Sequence, residues 1–427
     1  MRDVMAEFYD GPHATPAPAD AGPVYLGIKN ITDSGLLDVT DVRHIAPQDF
    51  AKWTKRVTPQ AGDVVFVYEA TLHRYALIPD DFVGCLGRRL ALIRPDRTVI
   101  LPRYLHFYML GPIWKDTVTS RIISGSTVDR IPIIDFPDFP IDVPDLNTQH
   151  AVVNVLGALN DLIVNNRRRI ELLEQVAQAI YREWFIHFRY PGYEDGPLVD
   201  SHLGLIPKGW DVLPVSAIAS ADRNAVTGGP FGSKLGRKDY VDKGVPVVRG
   251  ANLRLGGGFD ETDLVFVTDE KADELRSSLA TRGDILVTQR GTLGQVGLIP
   301  LRAQWDRYLL SQSQMKITVD PSRAAVHFIY AQFRTAETTA RFIAMAMSSG
   351  VPHVNLKMLR DFELVVPPHD LQGRFSVAVA PLSDYVWVLN EQCRRIGIIR
   401  DLLLPKLVSG QIDISGLDLD AVTESVA

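Results

Sequence analysis

The chain carries one stretch of sequence twice. Residues 62–79 (GDVVFVYEATLHRYALIP) align without a gap to residues 283–300 (GDILVTQRGTLGQVGLIP), and Gly62/Gly283, Asp63/Asp284, Thr71/Thr292, Leu72/Leu293, Leu77/Leu298, Ile78/Ile299 and Pro79/Pro300 are identical, each pair 221 residues apart. Upstream, Pro23-Val24-Tyr25-Leu26-Gly27 answers Pro246-Val247-Val248-Arg249-Gly250. Downstream, Asp138-Phe139 answers Asp361-Phe362, Val143-Pro144 answers Val366-Pro367 and Gln149 answers Gln372, all at a separation of 223. Any one short match is cheap, but several blocks in one order at nearly one offset are not. Such a repeat requires two copies of one structural unit, which sets the architecture before any single residue is interpreted.

Both copies change texture in the same way. Residues 1–144 and 207–368 hold short β-branched runs such as Asp63-Val64-Val65-Phe66-Val67 and Asp284-Ile285-Leu286-Val287-Thr288 between glycines and prolines, which predicts sheet with some helix. Each copy then passes a proline, Pro144 or Pro367-Pro368, into a helical tract. The reading is an α+β chain with a pseudo-twofold internal repeat: a first globular domain over 1–144, a central helix over 145–190, and a hinge over 191–206. A second domain over 207–368, a distal helix over 369–410 and a tail over 411–427 complete it.

The first tract places Leu156, Leu159, Ile163, Asn166, Ile170, Leu173, Ala177, Ile180 and Trp184 at alternating steps of three and four, the seam of a coiled coil. The second repeats the alternation through Leu382, Val386, Leu389, Cys393 and Ile396. It then slips: the next step of four lands on Arg400, so Ile399 is expected to take the seam position, followed by Leu403. Pro405 is expected to end or kink this helix near Leu404. A single stripe of this kind is usually a helix lying on its own domain, but two equivalent stripes after equivalent domains predict that the helices pair, antiparallel. Asn166 fits a seam too, because a buried polar residue there can fix register.

Composition narrows the function. The net charge of −6 is wrong for a chain that coats nucleic acid by bulk charge, so any DNA contact must use local patches or a partner. No apolar run is long enough to cross a bilayer and the start, MRDVMAEFYDGP, lacks a signal-peptide core, so a cytoplasmic location is expected. The two cysteines, Cys85 and Cys393, stand in no ligand or disulfide spacing, and the ten histidines show no metal-ligand pattern. No Gly-Lys dipeptide occurs, which excludes a standard Walker A loop. Gly228-Gly229-Pro230-Phe231-Gly232-Ser233-Lys234 is glycine-rich but has the wrong spacing for a phosphate loop; a DNA-facing turn and a purely structural one stay open for it.

Several phrases resemble the specificity subunits of type I restriction-modification systems. They are Gly283-Asp284-Ile285-Leu286-Val287-Thr288-Gln289-Arg290-Gly291-Thr292, His353-Val354-Asn355-Leu356-Lys357-Met358-Leu359, Val366-Pro367-Pro368, Arg182-Glu183-Trp184-Phe185, Ile206-Pro207-Lys208-Gly209-Trp210 and the run from Leu404 to Ile412. Their joint order covers nearly the whole chain. The resemblance implies two target-recognition domains separated and joined by two long helices in an antiparallel coiled coil. It also implies a non-catalytic DNA-binding subunit for phage defence that reads a bipartite double-stranded target with two methyltransferase subunits and motor/nuclease subunits. S-adenosylmethionine, ATP and Mg are then expected on the partners and no cofactor or metal in this chain. No Asn/Asp-Pro-Pro-aromatic tetrapeptide of the amino-methyltransferase kind is present; Pro367-Pro368-His369-Asp370 is a different sequence. The first half departs from the pattern: it has no counterpart of residues 206–210, Tyr68-Glu69-Ala70 replaces polar and glycine residues, and Ser124-Gly125-Ser126-Thr127 answers the His353 phrase only loosely. The first domain is therefore expected either to be shortened at its N-terminus or to have its start codon placed too late. Two other readings stay open, a related restriction system with a fused methyltransferase-nuclease partner and a coiled-coil scaffold whose heads bind proteins.

DNA sequence is read by Arg or Lys on guanine and by Asn or Gln on adenine. The second half offers Lys234, Arg237, Lys238, Arg249, Asn252, Arg254, Gln289, Arg290 and Gln295 in loops beside strands, with His353, Asn355 and Lys357 as a further polar group. The first half offers Lys29, Asn30, His73 and Arg74. The competing account for each is solvated surface, and for Arg167-Arg168-Arg169 a solvated helix face is preferred to phosphate contact. A helix from Leu156 to Trp184 is about 42 Å long at ~1.5 Å per residue. It could hold two half-sites roughly one duplex turn apart. The purified chain alone is expected to show no ATPase, methyltransferase or nuclease turnover; turnover without partners would overturn this reading.

Overall fold

The computed structural model describes residues 1–125, 128–192, 196–347 and 352–414. Ser126 and Thr127 of the loosely matching phrase, residues 193–195 of the hinge and residues 415–427 of the tail lie outside them. The chain divides into two compact units, one formed by Met1–Val164 with the residues from Arg395 on, the other by Asn165–Arg394.

In the first unit the β-branched runs form seven strands: β1 (Met5–Asp10), β2 (Ala19–Leu26), β3 (Arg43–His44), β4 (Val64–Val67), β5 (Tyr75–Leu77), β6 (Gly84–Leu86) and β7 (Leu90–Pro95). An antiparallel sheet runs β1-β7-β4-β5, and a smaller one runs β3-β2-β6 with β2 and β6 parallel. Side chains alternate across a strand, so a run without polar residues implies cover on both faces. That is what β4 shows. Val64 and Phe66 pack with Tyr104, Trp114 and Phe136, while Val65 and Val67 pack with Leu26, Leu86 and Leu92.

The second unit opens with a hairpin of β8 (Leu198–Ser201) and β9 (Gly204–Pro207) and then adds β10 (Asp211–Pro214), β11 (Val226–Gly228), β12 (Val245–Val248) and β13 (Val265–Val267). It continues with β14 (Leu279–Thr281), β15 (Ile285–Thr288), β16 (Val296–Leu298), β17 (Arg307–Leu310), β18 (Gln314–Ile317) and β19 (Glu363–Val366). Its antiparallel sheet runs β11-β18-β15-β16, a mixed sheet runs β13-β12-β17-β14 with β12 and β17 parallel, and β10 pairs with β19. Two helices follow β7 in the first unit, Pro102–Leu110 and Pro112–Thr119, and two follow β18 in the second, Val326–Phe333 and Ala336–Ala346.

Residues that are identical in the two copies serve as buried polar pins. Asp63 accepts hydrogen bonds from the Gln60 amide (2.8 Å) and from Arg94 Nε and Nη2 (3.0 and 2.9 Å). Asp284 accepts from the Thr281 amide (2.7 Å), from Lys316 Nζ (2.9 Å) and from the Thr318 hydroxyl. Gln149 accepts from the Leu101 amide (2.8 Å) and donates to the Val99 and Pro144 carbonyls (2.9 and 2.8 Å). Gln372 accepts from the Ala325 amide (2.9 Å) and donates to the Pro367 carbonyl (2.8 Å). Each glutamine ties the first turn of a long helix to the sheet-to-helix connection of its own unit.

The long helices are Leu146–Tyr181, extended by a π-turn over Arg182–Ile186, and His369–Val408. Along the first, Leu156, Ile163, Asn166 and Ile170 are buried, and Leu159, Leu173, Ala177, Ile180 and Trp184 are half-buried. Along the second, Leu389 is buried, and Leu382, Val386, Cys393, Ile396 and Leu403 are half-buried. In the first unit Arg400 Nη1 donates to Asn160 Oδ1 (3.1 Å); in the second, Asn166 Nδ2 donates to Gln392 Oε1 (3.3 Å).

Two expectations for this second helix are corrected. Ile399 does not take a seam position and is 47% exposed, whereas the Arg400 side chain is only 15% exposed. The long arginine stem covers apolar surface while its guanidinium reaches Asn160 and Asp401, so the alternation continues without a slip. Nor does Pro405 end the helix, which runs on to Val408. The missing N–H costs one hydrogen bond, and burial of Leu404, Leu407 and Val408 in the first unit's core offsets it. Gly410, with φ of +70°, closes the turn. Ile170→Asp is therefore expected to cost about 3 kcal/mol or more by burying an unpaired charge. Ile399→Asp should stay within about 0.5 kcal/mol of the parent; equal losses in urea unfolding would contradict this assignment.

Candidate nucleic-acid interface

The candidate interface in the second unit is built where β15 ends. Gln289 donates its amide to the Ser313 carbonyl (2.9 Å) and its side chain to the Gln312 carbonyl, and its own carbonyl accepts from the Val354 amide (3.0 Å). The turn before β18 and the segment leading to Asn355 are thereby drawn to one point. The turn after β11 joins them: the Gly229 amide donates to the Gln314 carbonyl (2.9 Å), and a Cβ on Gly229 would stand 1.9 Å from the Ser311 carbonyl, so only glycine fits. The loops of the glycine-rich Gly228–Lys234 segment, of Arg290 and of Gln312 thus converge around Gln289.

Most of the nominated side chains are already engaged. Asn252 is buried; its Oδ1 accepts from the Arg249 amide (3.0 Å) and its Nδ2 donates to the Asp260 and Thr262 carbonyls (3.1 and 2.9 Å). Asn30 is buried likewise, accepting from the Gly27 amide (2.9 Å) and donating to the Asp38 and Asp41 carbonyls (2.9 and 3.1 Å). With all three bonds made internally, neither amide is offered to a base. Gln295 donates to the Leu253 carbonyl (2.8 Å) and accepts from Thr288 (3.1 Å), and Asn355 caps the helix Leu356–Asp361 by accepting from the Met358 amide (2.9 Å). Gln289, as above, is a buried loop tie.

Carboxylates hold several of the cations. Lys29 meets Asp41 (2.5 Å), Arg74 meets both oxygens of Asp33 (2.6 and 3.3 Å), Arg254 meets Asp260 (2.6 Å) and Lys357 meets Asp361 (2.8 Å). Burial opposes ionisation of Asp260, yet hydrogen bonds from Thr262 and Arg254 hold its carboxyl below the usual range. Arg249 donates to the Asp263 carbonyl, and His353 is half-buried in the converging loops. Lys234 and Arg290 stay exposed on the loop cluster and make no ion pair with the described residues.

The first unit builds the same junction from different residues. The Tyr68 amide donates to the Arg89 carbonyl (3.1 Å) and the Tyr68 carbonyl accepts from Ile131 (2.8 Å), as Gln289 does with Ser313 and Val354. The loop after β4 keeps the left-handed backbone of its counterpart. Ala70 (φ +77°) and His73 (φ +63°) stand where the second unit has Gly291 (φ +87°) and Gly294 (φ +88°). His73 is half-buried, with Nε2 3.4 Å from the Thr119 hydroxyl, and burial, then nearby Lys115, pulls its pKa down, so it sits in the loop as a neutral ring. Sequence reasoning missed the exposed Arg88 and Arg130 at this junction. The turn of Arg88 lies 224 residues before its counterpart at 311–314, one step off the 223 of the identical blocks, so only alignment through the strand pairing finds Arg88.

Two β-rich units, each leading into a long helix, define a two-unit α+β protein. Residues 237–382 match the family model described as type I restriction modification DNA specificity domain. The MjaIX type I restriction enzyme specificity subunit of Methanocaldococcus jannaschii is 23% identical over 382 residues, covering 88% of this chain and 83% of that one. The HindI specificity subunit of Haemophilus influenzae is 21% identical over 409 residues, covering 79% and 84%. The crystal structure of a type I restriction-modification S subunit from M. genitalium shares the fold at a TM-score of 0.55 and 14% identity, over 95% of this chain and 94% of that one. The chain is thus similar to the specificity subunits of type I restriction-modification systems. No helix of the described residues is long and apolar enough to cross a membrane, and no described group of three or more His, Cys, Asp or Glu is arranged to hold a metal.

A non-glycine residue in left-handed backbone costs about 1 kcal/mol, partly offset by its lower unfolded-state entropy. Ala70→Gly is therefore expected to raise stability by about 0.5 kcal/mol. A loss in thermal or urea unfolding would mean the loop relaxes out of that conformation.

Proposed function

We propose that the chain is the non-catalytic reader of a bipartite double-stranded DNA target, each unit reading one half-site through its loop cluster. The single observation that carries this is the junction built alike in both units, at Tyr68 and at Gln289, from side chains that differ between them. Equal scaffolds with unequal loop chemistry suit two half-sites of unequal sequence. The division into target-recognition domains, 1–144 and 207–368, with helical spacers 145–190 and 369–410, belongs to this proposal. So does an antiparallel coiled coil of the two long helices. The Asn160–Arg400 and Asn166–Gln392 contacts support it, since residue numbers rise along one helix as they fall along the other.

In this reading two methyltransferase subunits and the motor/nuclease subunits assemble on the chain and bring S-adenosylmethionine, ATP and Mg with them. This chain supplies sequence readout and spacing. Lys234 and Arg290 are the second unit's cationic contacts. The engaged residues Asn30, Asn252, Gln289, Gln295 and Asn355 shape the loops.

Methylome sequencing of cells carrying the chain with its partners is expected to return two short half-sites at a fixed gap. Deleting one heptad from both helices should change that gap. Arg290→Ala should relax or weaken one half-site by roughly 1–3 kcal/mol and leave the other unchanged. A single continuous motif, or a gap indifferent to helix length, would refute the spacer.

A further inference from the structure

The turn between β6 and β7 is a fixed platform with an unused cation at its tip. It spans Gly87–Leu90, closed by the Leu90 amide donating to the Gly87 carbonyl (3.3 Å). A Cβ on Gly87 would stand 1.8 Å from the Leu26 carbonyl, so the turn is seated on β2 as only glycine allows. The Arg88 amide donates to Tyr25 Oη (2.9 Å), and the Arg89 carbonyl accepts from Tyr68. Arg89 has φ of +73°, a conformation that favours glycine or asparagine, and its Nε stands 3.0 Å from Glu69 Oε1 without the alignment of a hydrogen bond. Backbone strain next to partly satisfied polar atoms is characteristic of loops shaped for binding. From this platform Arg88 projects exposed, with no ion pair among the described residues.

The second unit has the same turn at Ser311–Gln314, closed by the Gln314 amide on the Ser311 carbonyl (3.1 Å) and held by Gln289. The residue at the position of Arg88 is Gln312, half-exposed, whose backbone carbonyl rather than side chain is used by Gln289. Each unit therefore presents one base-reading residue type at one equivalent, backbone-anchored tip. An arginine fork suits the O6/N7 edge of guanine and a glutamine amide the N6/N7 edge of adenine. A tip anchored through its backbone spends little entropy on docking, which suits discrimination between bases better than loose phosphate attraction.

We propose that Arg88 and Gln312 are specificity-determining residues, Arg88 reading a guanine in the first unit's half-site and Gln312 an adenine in the second's. This rests on the function proposed above. The test is methylome sequencing of the complete complex with Arg88→Ala and with Gln312→Ala, each checked by thermal unfolding to match the parent. Arg88→Ala is expected to lose about 5- to 150-fold preference at a G·C pair in one half-site. Gln312→Ala should lose preference at an A·T pair in the other, the half-site that Arg290→Ala also affects. Loss spread evenly over all sequences, both variants relaxing the same half-site, or motifs identical to the parent's would overturn the proposal. Absence of any bipartite motif in the parent complex would instead refute the underlying function.

Discussion

A buried carboxylate at the head of the central strand is the constraint on which the rest of each unit depends. Asp284 is 1% exposed, and an ion so buried is tolerated only if paired and hydrogen-bonded. Lys316, Thr318 and the Thr281 amide satisfy it, joining the turn before β15 to β18. With Ile285 opposite Ile317, these bonds favour one register, and a one-residue slip would turn every core side chain of β15 to the wrong face. The far end of the same strand pair carries Gln289 and the turn before Gln314. Asp63 does the same for β4 and β7 through Arg94, whose guanidinium replaces the lysine. Placement of the loops around Gln289 thus begins at the opposite end of the sheet.

Much of this was legible in the repeat, though not in the way a search for DNA contacts suggests. Residues identical between the copies, Asp63/Asp284 and Gln149/Gln372, are those both halves must use alike, and they are pins of the fold. Asn30 and Asn252 were attractive as adenine readers, yet a short amide beside a turn competes for backbone groups, and here it wins all three bonds. Readout demands the reverse property, side chains that differ between equivalent positions. Arg88 and Gln312 differ, so matching by identity passed over them. The strand-rich texture and the helical tracts were legible because period and β-branching are local signals. Side-chain direction at a loop tip depends on contacts distant in sequence.

The helices show the same limit. A heptad pattern identifies Leu156, Ile163, Ile170 and Leu389 because apolar spacing alone places them inside, and Asn166 by its place in the same alternation. It fails at Ile399 because hydrophobicity ranks isoleucine above arginine, whereas an arginine stem next to an asparagine can be buried with its charge satisfied. Pro405 misled for a related reason: the cost of a proline is set by one hydrogen bond, and the burial that offsets it comes from a core assembled by residues almost three hundred positions away, Trp114 among them.

The loop after β4 shows how a loop can diverge in sequence without losing its shape. Ala70 and His73 hold left-handed backbone that glycine holds in the second unit, and Arg89 does so in the neighbouring turn. Strain at three non-glycine residues persists only where other bonds determine the path. Here many of those bonds are from the backbone: Tyr68 to Arg89 and Ile131, and Ala70 to Asp129. A turn fixed largely through its main chain leaves the side chain at its tip, Arg88, free of structural duty. The two units can therefore keep one geometry at their tips while placing an arginine on one and a glutamine on the other.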